Sequence, residues 1–268
     1  MQYGYFEPVV RNVLQRNNGN GTFSDIACLA GVYKTDWSWS GLLFDIDNDG
    51  LKDMAVTNGY RRELADLDYM NFTVPELQGT TIKSFQEIFQ YIPTYKIRNF
   101  VYQNRGNWTF EDQSGQWLDV PPSWSNGAAW ADLDADGDLD WVVNNLEDQA
   151  FIYENLSSGQ PRANYMQLKL TGGPKNPFAV GAAVLIKSNG AHQYQELNPT
   201  RGIFSSVEHL IHFGLGNAAQ VDEIQVLWPN GKKTTLQNVP ANQRLKLRQD
   251  EADGSGPLRL RRADCDRL

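Results

Sequence analysis

Asp45-Ile46-Asp47-Asn48-Asp49-Gly50-Leu51-Lys52-Asp53 returns 87 residues later as Asp132-Leu133-Asp134-Ala135-Asp136-Gly137-Asp138-Leu139-Asp140. Both stretches read D-x-D-x-D-G-x-x-D. Alternate carboxylates in a tight loop converge their oxygens on one point, and the glycine after the third Asp supplies the sharp turn. A hard cation with about six to eight oxygen ligands wants such a donor set, and calcium tolerates its irregular geometry better than magnesium. The pattern assigns Asp45, Asp47, Asp49 and Asp53 to one calcium site and Asp132, Asp134, Asp136 and Asp140 to another. Leu51 and Asp138 are placed to turn backbone carbonyls inward. An EF-hand loop begins the same way but carries Glu at its twelfth position between two helices. Here that position is Val56 or Val143. The residues that follow each loop, Met54-Ala55-Val56 and Trp141-Val142-Val143, are apolar and partly β-branched, so each loop joins two strands of a hairpin. A solvated acidic turn explains one such loop better than it explains two at equivalent positions.

The match extends beyond the loops. Residues 12–58 align with 99–145 without a gap, with 16 identities in 47 positions. The identities fall on Asn, Asp, Gly and aromatic residues, among them Trp37-Ser38 on Trp124-Ser125 and Val56 and Asn58 on Val143 and Asn145, so the two stretches are copies of one unit. Phe151-Ile152-Tyr153-Glu154-Asn155 echoes Phe100-Val101-Tyr102-Gln103-Asn104 at an offset of 51, which makes 36 residues between Asn58 and Asn99 an insertion. Short strands repeating at this period indicate propeller blades of four strands each. Within the insertion, Ile82, Phe85, Ile88, Phe89 and Ile92 recur at helical spacing until Pro93, which predicts an amphipathic helix in the stretch 60–97.

The repeat stops near Asn164. Beyond it, Tyr165–Leu170, Val180–Lys187, His192–Leu197, Asp222–Trp228 and Arg244–Arg248 read as longer strands, and Trp228-Pro229-Asn230-Gly231 as a turn. The expected fold class is all-β. Partial β-propeller blades occupy 1–158, a small β-sandwich or barrel occupies 160–248, and 249–268 is a disordered or non-native tail.

Apolar residues make up 41% of the 268, enough for a folded core. No uncharged apolar run is long enough to span a bilayer, and Met1–Glu7 lacks the features of a signal peptide. Two cysteines give neither a disulfide framework nor a thiolate zinc site. Net charge is −8, and nine of the 32 acids lie in the two loops. The acidity is therefore local, which points to cation sites and argues against nucleic acid as a partner. No G-x-S-x-G, H-E-x-x-H or phosphate-cradling loop occurs. Carboxylates committed to a cation are poor general acids, so no catalytic residue is assigned. Arg201, Ser205, Ser206 and His212, with His209 nearby, are candidates for a ligand groove. The plainer reading makes them turn-shaping and structural.

These residues carry a resemblance. Asn17-Asn18-Gly19-Asn20-Gly21-Thr22-Phe23 followed by D-x-D-x-D-G-x-x-D resembles FG-GAP (VCBS-type) propeller repeats. Gly181-Ala182-Ala183-Val184, Arg201-Gly202-Ile203-Phe204-Ser205-Ser206, His212-Phe213-Gly214-Leu215-Gly216 and Trp228-Pro229-Asn230-Gly231 resemble, in order, the signature stretches of the ASPIC/UnbV module. The two resemblances cover roughly residues 8–248, and the insertion is similar to that of large bacterial members of the family. They imply the C-terminal part of a longer protein whose repeats bind calcium. Its place would be extracellular, periplasmic or on the outer-membrane surface, with any signal peptide in the missing N-terminal part. The expected function is non-catalytic recognition or adhesion, with a glycan or protein ligand. The competing readings are a calcium-dependent hydrolase of polysaccharide or phosphoester, and an RNA-binding module using Arg244, Lys246 and Arg248.

Overall fold

Short runs of β-formers separated by Asn- and Gly-rich turns fold as hairpins, and the first half of the chain is built of them. The computed structural model describes residues 11–62, 68–69, 71, 92–119, 121–161 and 163–258. Strands β1 (Gln15–Asn17) and β2 (Phe23–Asp25) pair antiparallel, and a one-turn helix, α1 (Ala27–Ala30), follows. A four-stranded sheet comes next, in the order β3 (Ser38–Phe44), β4 (Asp53–Asn58), β5 (Phe100–Asn104) and β6 (Phe110–Asp112). The second sheet repeats it with β7 (Ser125–Ala131), β8 (Asp140–Asn145) and β9 (Phe151–Tyr153). Four strands per unit therefore hold for the first sheet, whereas three are found in the second among the described residues. Of the expected helical insertion, most lies outside the described residues.

The repeated identities have a physical reason. Both inner hairpins carry a β-bulge at the same place, between Ser38 and Gly41 and between Ser125 and Ala128. At each bulge a serine hydroxyl donates to the asparagine that ends the next strand. Ser38 Oγ lies 2.9 Å from Asn58 Oδ1, and Ser125 Oγ 2.7 Å from Asn145 Oδ1. Each asparagine then donates through Nδ2 to the chain that follows, Asn58 to Arg98 O and Asn145 to Gln149 O. The two sheets bury Leu42, Phe44, Val101, Leu139, Trp141 and Val143 in one cluster.

The second half is a sandwich and not a barrel. Its strands are β10 (Asn164–Thr171), β11 (Ala183–Ser188), β12 (Ala191–Glu196), β13 (Thr200–Arg201), β14 (Ser205–Ser206), β15 (Ile211–Gly216), β16 (Gln220–Leu227), β17 (Lys232–Pro240), β18 (Gln243–Arg248) and β19 (Gly254–Ser255). One sheet runs β12-β11-β16-β17-β19 and the other β15-β10-β18, with β10 parallel to β18. Met166, Leu168, Ile186, Phe213, Ile224 and Trp228 fill the space between them. The tail expected from residue 249 is corrected in part. A 3-10 turn at Gln249–Glu251 and pairing of Lys232 with Ser255 and Lys233 with Gly254 carry the sandwich onward. Residues 259–268 lie outside the described residues. Among the described residues no helix is long and apolar enough to cross a membrane.

Strand periodicity decides which side chains leave this core. On β10, β15 and β18, residues alternate between the sandwich interior and the opposite face, so Gln167, His212 and Arg244 share that opposite face. They are also neighbours in register, Gln167 opposite His212 on one side and Arg244 on the other. That face lies against the two Asp-rich loops.

Candidate metal centre

The two loops bend at equivalent positions. Asn48 and Ala135 take φ of 58° and 65°, and Gly50 and Gly137 take φ of 95° and 103°. Asn tolerates the left-handed region and Gly adopts it freely. The bends bring one oxygen each of Asp45, Asp47 and Asp49 within 4.8 Å of one another, and the same holds for Asp132, Asp134 and Asp136. Backbone N–H groups hold the trios in shape. Asp49 N donates to Asp47 Oδ1 and Leu51 N to Asp49 Oδ1, while Asp136 N donates to Asp134 Oδ1 and Asp138 N to Asp136 Oδ1.

The ninth-position carboxylates stand outside these trios and brace the loops. Asp53 accepts Ile46 N at 2.9 Å and Asn104 N at 2.8 Å. Asp140 accepts Leu133 N and Asn155 N, both at 2.8 Å. A carboxylate offers about four lone-pair sites, so each retains acceptor capacity. The Asp138 side chain is turned to Ser158 N at 2.7 Å and Ser157 Oγ at 3.3 Å.

In both loops the same atom is left over. Asp45 Oδ1 and Asp132 Oδ1 are buried and have no hydrogen-bond partner. Burying a carboxylate oxygen unpaired is costly, and a cation is the partner that fits both places. The electrostatics agree. Burial pushes Asp45 well above the usual carboxylate range, and Asp53, Asp49 and Asp47 add to the shift. Burial followed by Asp47 raises Asp53 to about 8 and Asp49 to about 6. Burial raises Asp138 to about 7, with Asp136 contributing. Asp45, Asp49, Asp53 and Asp138 therefore resist ionisation until a positive charge arrives. The Asp clusters can bind a metal ion.

The face of the sandwich covers both loops. His212 Nε2 lies 2.6 Å from Asn48 Oδ1, and Gly216 N donates to Asn48 O at 2.8 Å. Gln167 Nε2 and Arg244 Nη2 donate to Asp132 Oδ2 at 2.7 and 3.0 Å. Asn48, Gln167 and Arg244 were not legible as site residues. Only the alternation of β18 marked Arg244, and it suggested a nucleic-acid contact. Arg248, from the same basic set, pairs with Asp250 at 2.8 Å.

The four candidate groove residues do not share one groove. Ser205 and Ser206 line a cleft of about 520 Å3 with Trp39, Asn126 and a fully exposed Phe204. Arg201 and His212 face a separate gap of about 30 Å3 between the blades and the sandwich. His209 stacks on Phe178, ring centres 4.4 Å apart.

Comparison with known proteins follows the same division. The family model for FG-GAP-like repeats matches residues 94–143, which include the second loop, and the model for ASPIC and UnbV matches 172–254. The chain carries an FG-GAP-like repeat followed by an ASPIC/UnbV domain. It is 27% identical over 250 residues to cartilage acidic protein 1 of Mus musculus, covering 82% of this chain and 38% of that protein. It is 28% identical over 251 residues to cartilage acidic protein 1 of Xenopus tropicalis, at the same coverage. The human protein of that name is 26% identical over 250 residues, covering 82% of this chain and 37% of its own. The FG-GAP and ASPIC/UnbV chain thus spans less than two fifths of the curated relatives it matches. The ASPIC and UnbV match covers the sandwich from β11 onward, β10 precedes it, and the β15-β10-β18 sheet meets the loops.

Proposed function

We propose that this chain belongs to a non-catalytic recognition protein of the extracellular space or cell surface, stabilised by calcium and binding a glycan or protein ligand. The observation that carries this reading is the pair of loops, each with three converging carboxylates and a buried, unpartnered oxygen on its first Asp. Asp45, Asp47, Asp49 and Asp53 would hold one ion, and Asp132, Asp134, Asp136 and Asp140 the other. The carbonyls of Leu51 and Asp138 would complete the sets. A bound calcium neutralises the crowded carboxylates and fastens each hairpin, since each loop joins two strands of one sheet. Loops of this kind suit a compartment rich in calcium, and the relatives' name associates them with cartilage. A cleft of about 430 Å3 beside the first loop, lined by Trp117, Trp141, Tyr153, Gln103 and Asn155 among others, supports a glycan ligand. Aromatic faces suit the apolar side of a sugar ring.

The test is a glycan array probed with the full chain in calcium and in chelator. Binding that disappears in chelator and with Trp117→Ala supports the reading. Turnover of a polysaccharide or model phosphoester, lost on mutating a carboxylate outside the loops, replaces it with hydrolysis.

A further inference from the structure

We infer that the two Asp-rich loops and the ASPIC/UnbV domain form one linked unit, in which ion binding at the loops and docking of the domain strengthen each other. The inference builds on the metal reading above and assigns its regulation to residues of the second domain.

The domain packs on the Oδ2 side of each first-position carboxylate. Asp45 Oδ2 accepts Gly50 N at 2.9 Å and lies against Gly214, where an added Cβ would come within 2.0 Å of it. Asp132 Oδ2 is held by Gln167 and Arg244. In both loops this leaves Oδ1 buried and unpartnered. Gln167, Arg244 and Gly214 are thus positioning residues for oxygens that an ion would take. The glycine of the second loop completes the fit, since a Cβ on Gly137 would fall 1.9 Å from the Tyr165 ring.

The two loops are also tied to each other, directly and through the domain. Asn48 Nδ2 donates to Gly137 O at 3.2 Å. Asn48 Oδ1 meets His212 Nε2, His212 Nδ1 meets Gln167 Nε2 at 3.4 Å, and Gln167 Nε2 donates to Asp132. One polar path thus runs from the first loop across two strands of the domain, β15 and β10, to the second.

The direction of the coupling follows. Without ions, the docked state keeps carboxylate oxygens out of water with no partner, which favours lifting the domain so that water can reach them. An ion supplies the partner only where the oxygens are held together, so it binds the docked state better and shifts the equilibrium toward it. Linkage is reciprocal, so loosening the domain must weaken ion binding by the same factor.

Hydrogen–deuterium exchange on the full chain, in calcium and in chelator, tests one direction. Calcium should slow exchange along Ile211–Gly216, the Gly216 amide included, and leave Lys232–Pro240 of the far sheet unchanged. Calorimetric calcium titration of two variants outside both loops tests the other. Gly202→Ala sets a Cβ 2.7 Å from Ser40 Oγ, and Gly127→Val begins with one 2.7 Å from Ser205 Oγ. Each pushes the β13–β14 hairpin off the blades, and each should weaken calcium binding about 5- to 150-fold, the usual span for coupled sites. Exchange on Lys232–Pro240 reports whether the variant sandwich stays folded. Calcium binding with unchanged exchange at Ile211–Gly216, and with wild-type affinity in both variants, overturns the linkage and leaves the metal reading intact. No calcium heat in the wild type removes both.

Discussion

His212 has one workable protonation state where it stands. Asn48 donates its Nδ2 to Gly137 O, so its Oδ1 is an acceptor and His212 Nε2 carries the proton. Nδ1 then accepts from Gln167, and a second ring proton would face that donor. Burial lowers the His212 pKa to about 4, with Arg244 also pushing it down and Asp132 opposing. A histidine whose folded pKa lies below its unfolded value of about 6.5 binds more protons unfolded, so stability falls as pH drops from about 6.5 toward 4. Thermal melts in calcium should show this slope, and His212→Gln should flatten it. The loop carboxylates act oppositely in metal-free protein. Their folded pKa values of about 8 at Asp53, 7 at Asp138 and 6 at Asp49 lie above the unfolded values. The folded state then holds the extra protons, and stability rises as pH falls from above 8 toward 6. Melts in chelator should show that rise, and calcium, which holds the carboxylates ionised, should abolish it. Asp45→Asn removes a carboxyl that the metal-free fold disfavours ionising and gives a crossing signature. It should raise the melting temperature in chelator and lower it in calcium.

At the scale of the element, the hairpins were legible because their repeated residues act locally. The Trp-Ser and Val-x-Asn identities proved to be the Ser38–Asn58 and Ser125–Asn145 bonds across each bulge. Ser125→Ala should therefore cost about 1–3 kcal/mol in chemical denaturation, because the fully buried serine leaves Asn145 Oδ1 unsatisfied. Ser38→Ala should behave in the same way. The D-x-D-x-D-G spacing likewise places three carboxylates together through turns a few residues long. Other elements were not legible because their reasons are distant. In β15, Ile211-His212-Phe213-Gly214-Leu215-Gly216 shows glycines where a strand pattern would show side chains. Gly214 is there because Asp45 and Asn48, more than 160 residues earlier, occupy the space a Cβ would need, and Gly216 takes a left-handed φ of 57°. The β19 stretch has no alternation at all and is a strand only because the end of β17 is there to pair with it.

Across the whole molecule, the chain's local acidity and its cover meet at one place. The blades supply both Asp-rich loops, and the β15-β10-β18 sheet of the ASPIC/UnbV domain closes over them. Sequence spacing alone does not reveal this meeting, since Gln167, His212 and Arg244 are neighbours only through strand register. Calcium should raise the melting temperature of the whole chain, each site adding about 2.7 kcal/mol of stability at a hundredfold excess over its dissociation constant. The polar path between the loops makes the two increments interdependent, so Asp45→Asn should also weaken the second site in calorimetry. The most direct test is anomalous diffraction from crystals of the full chain grown in calcium and exchanged into terbium. Two peaks are expected, one among Asp45, Asp47 and Asp49 and one among Asp132, Asp134 and Asp136, each within bonding distance of the Oδ1 that lacks a protein partner. Well-ordered loops with no anomalous peak at either place would contradict the account.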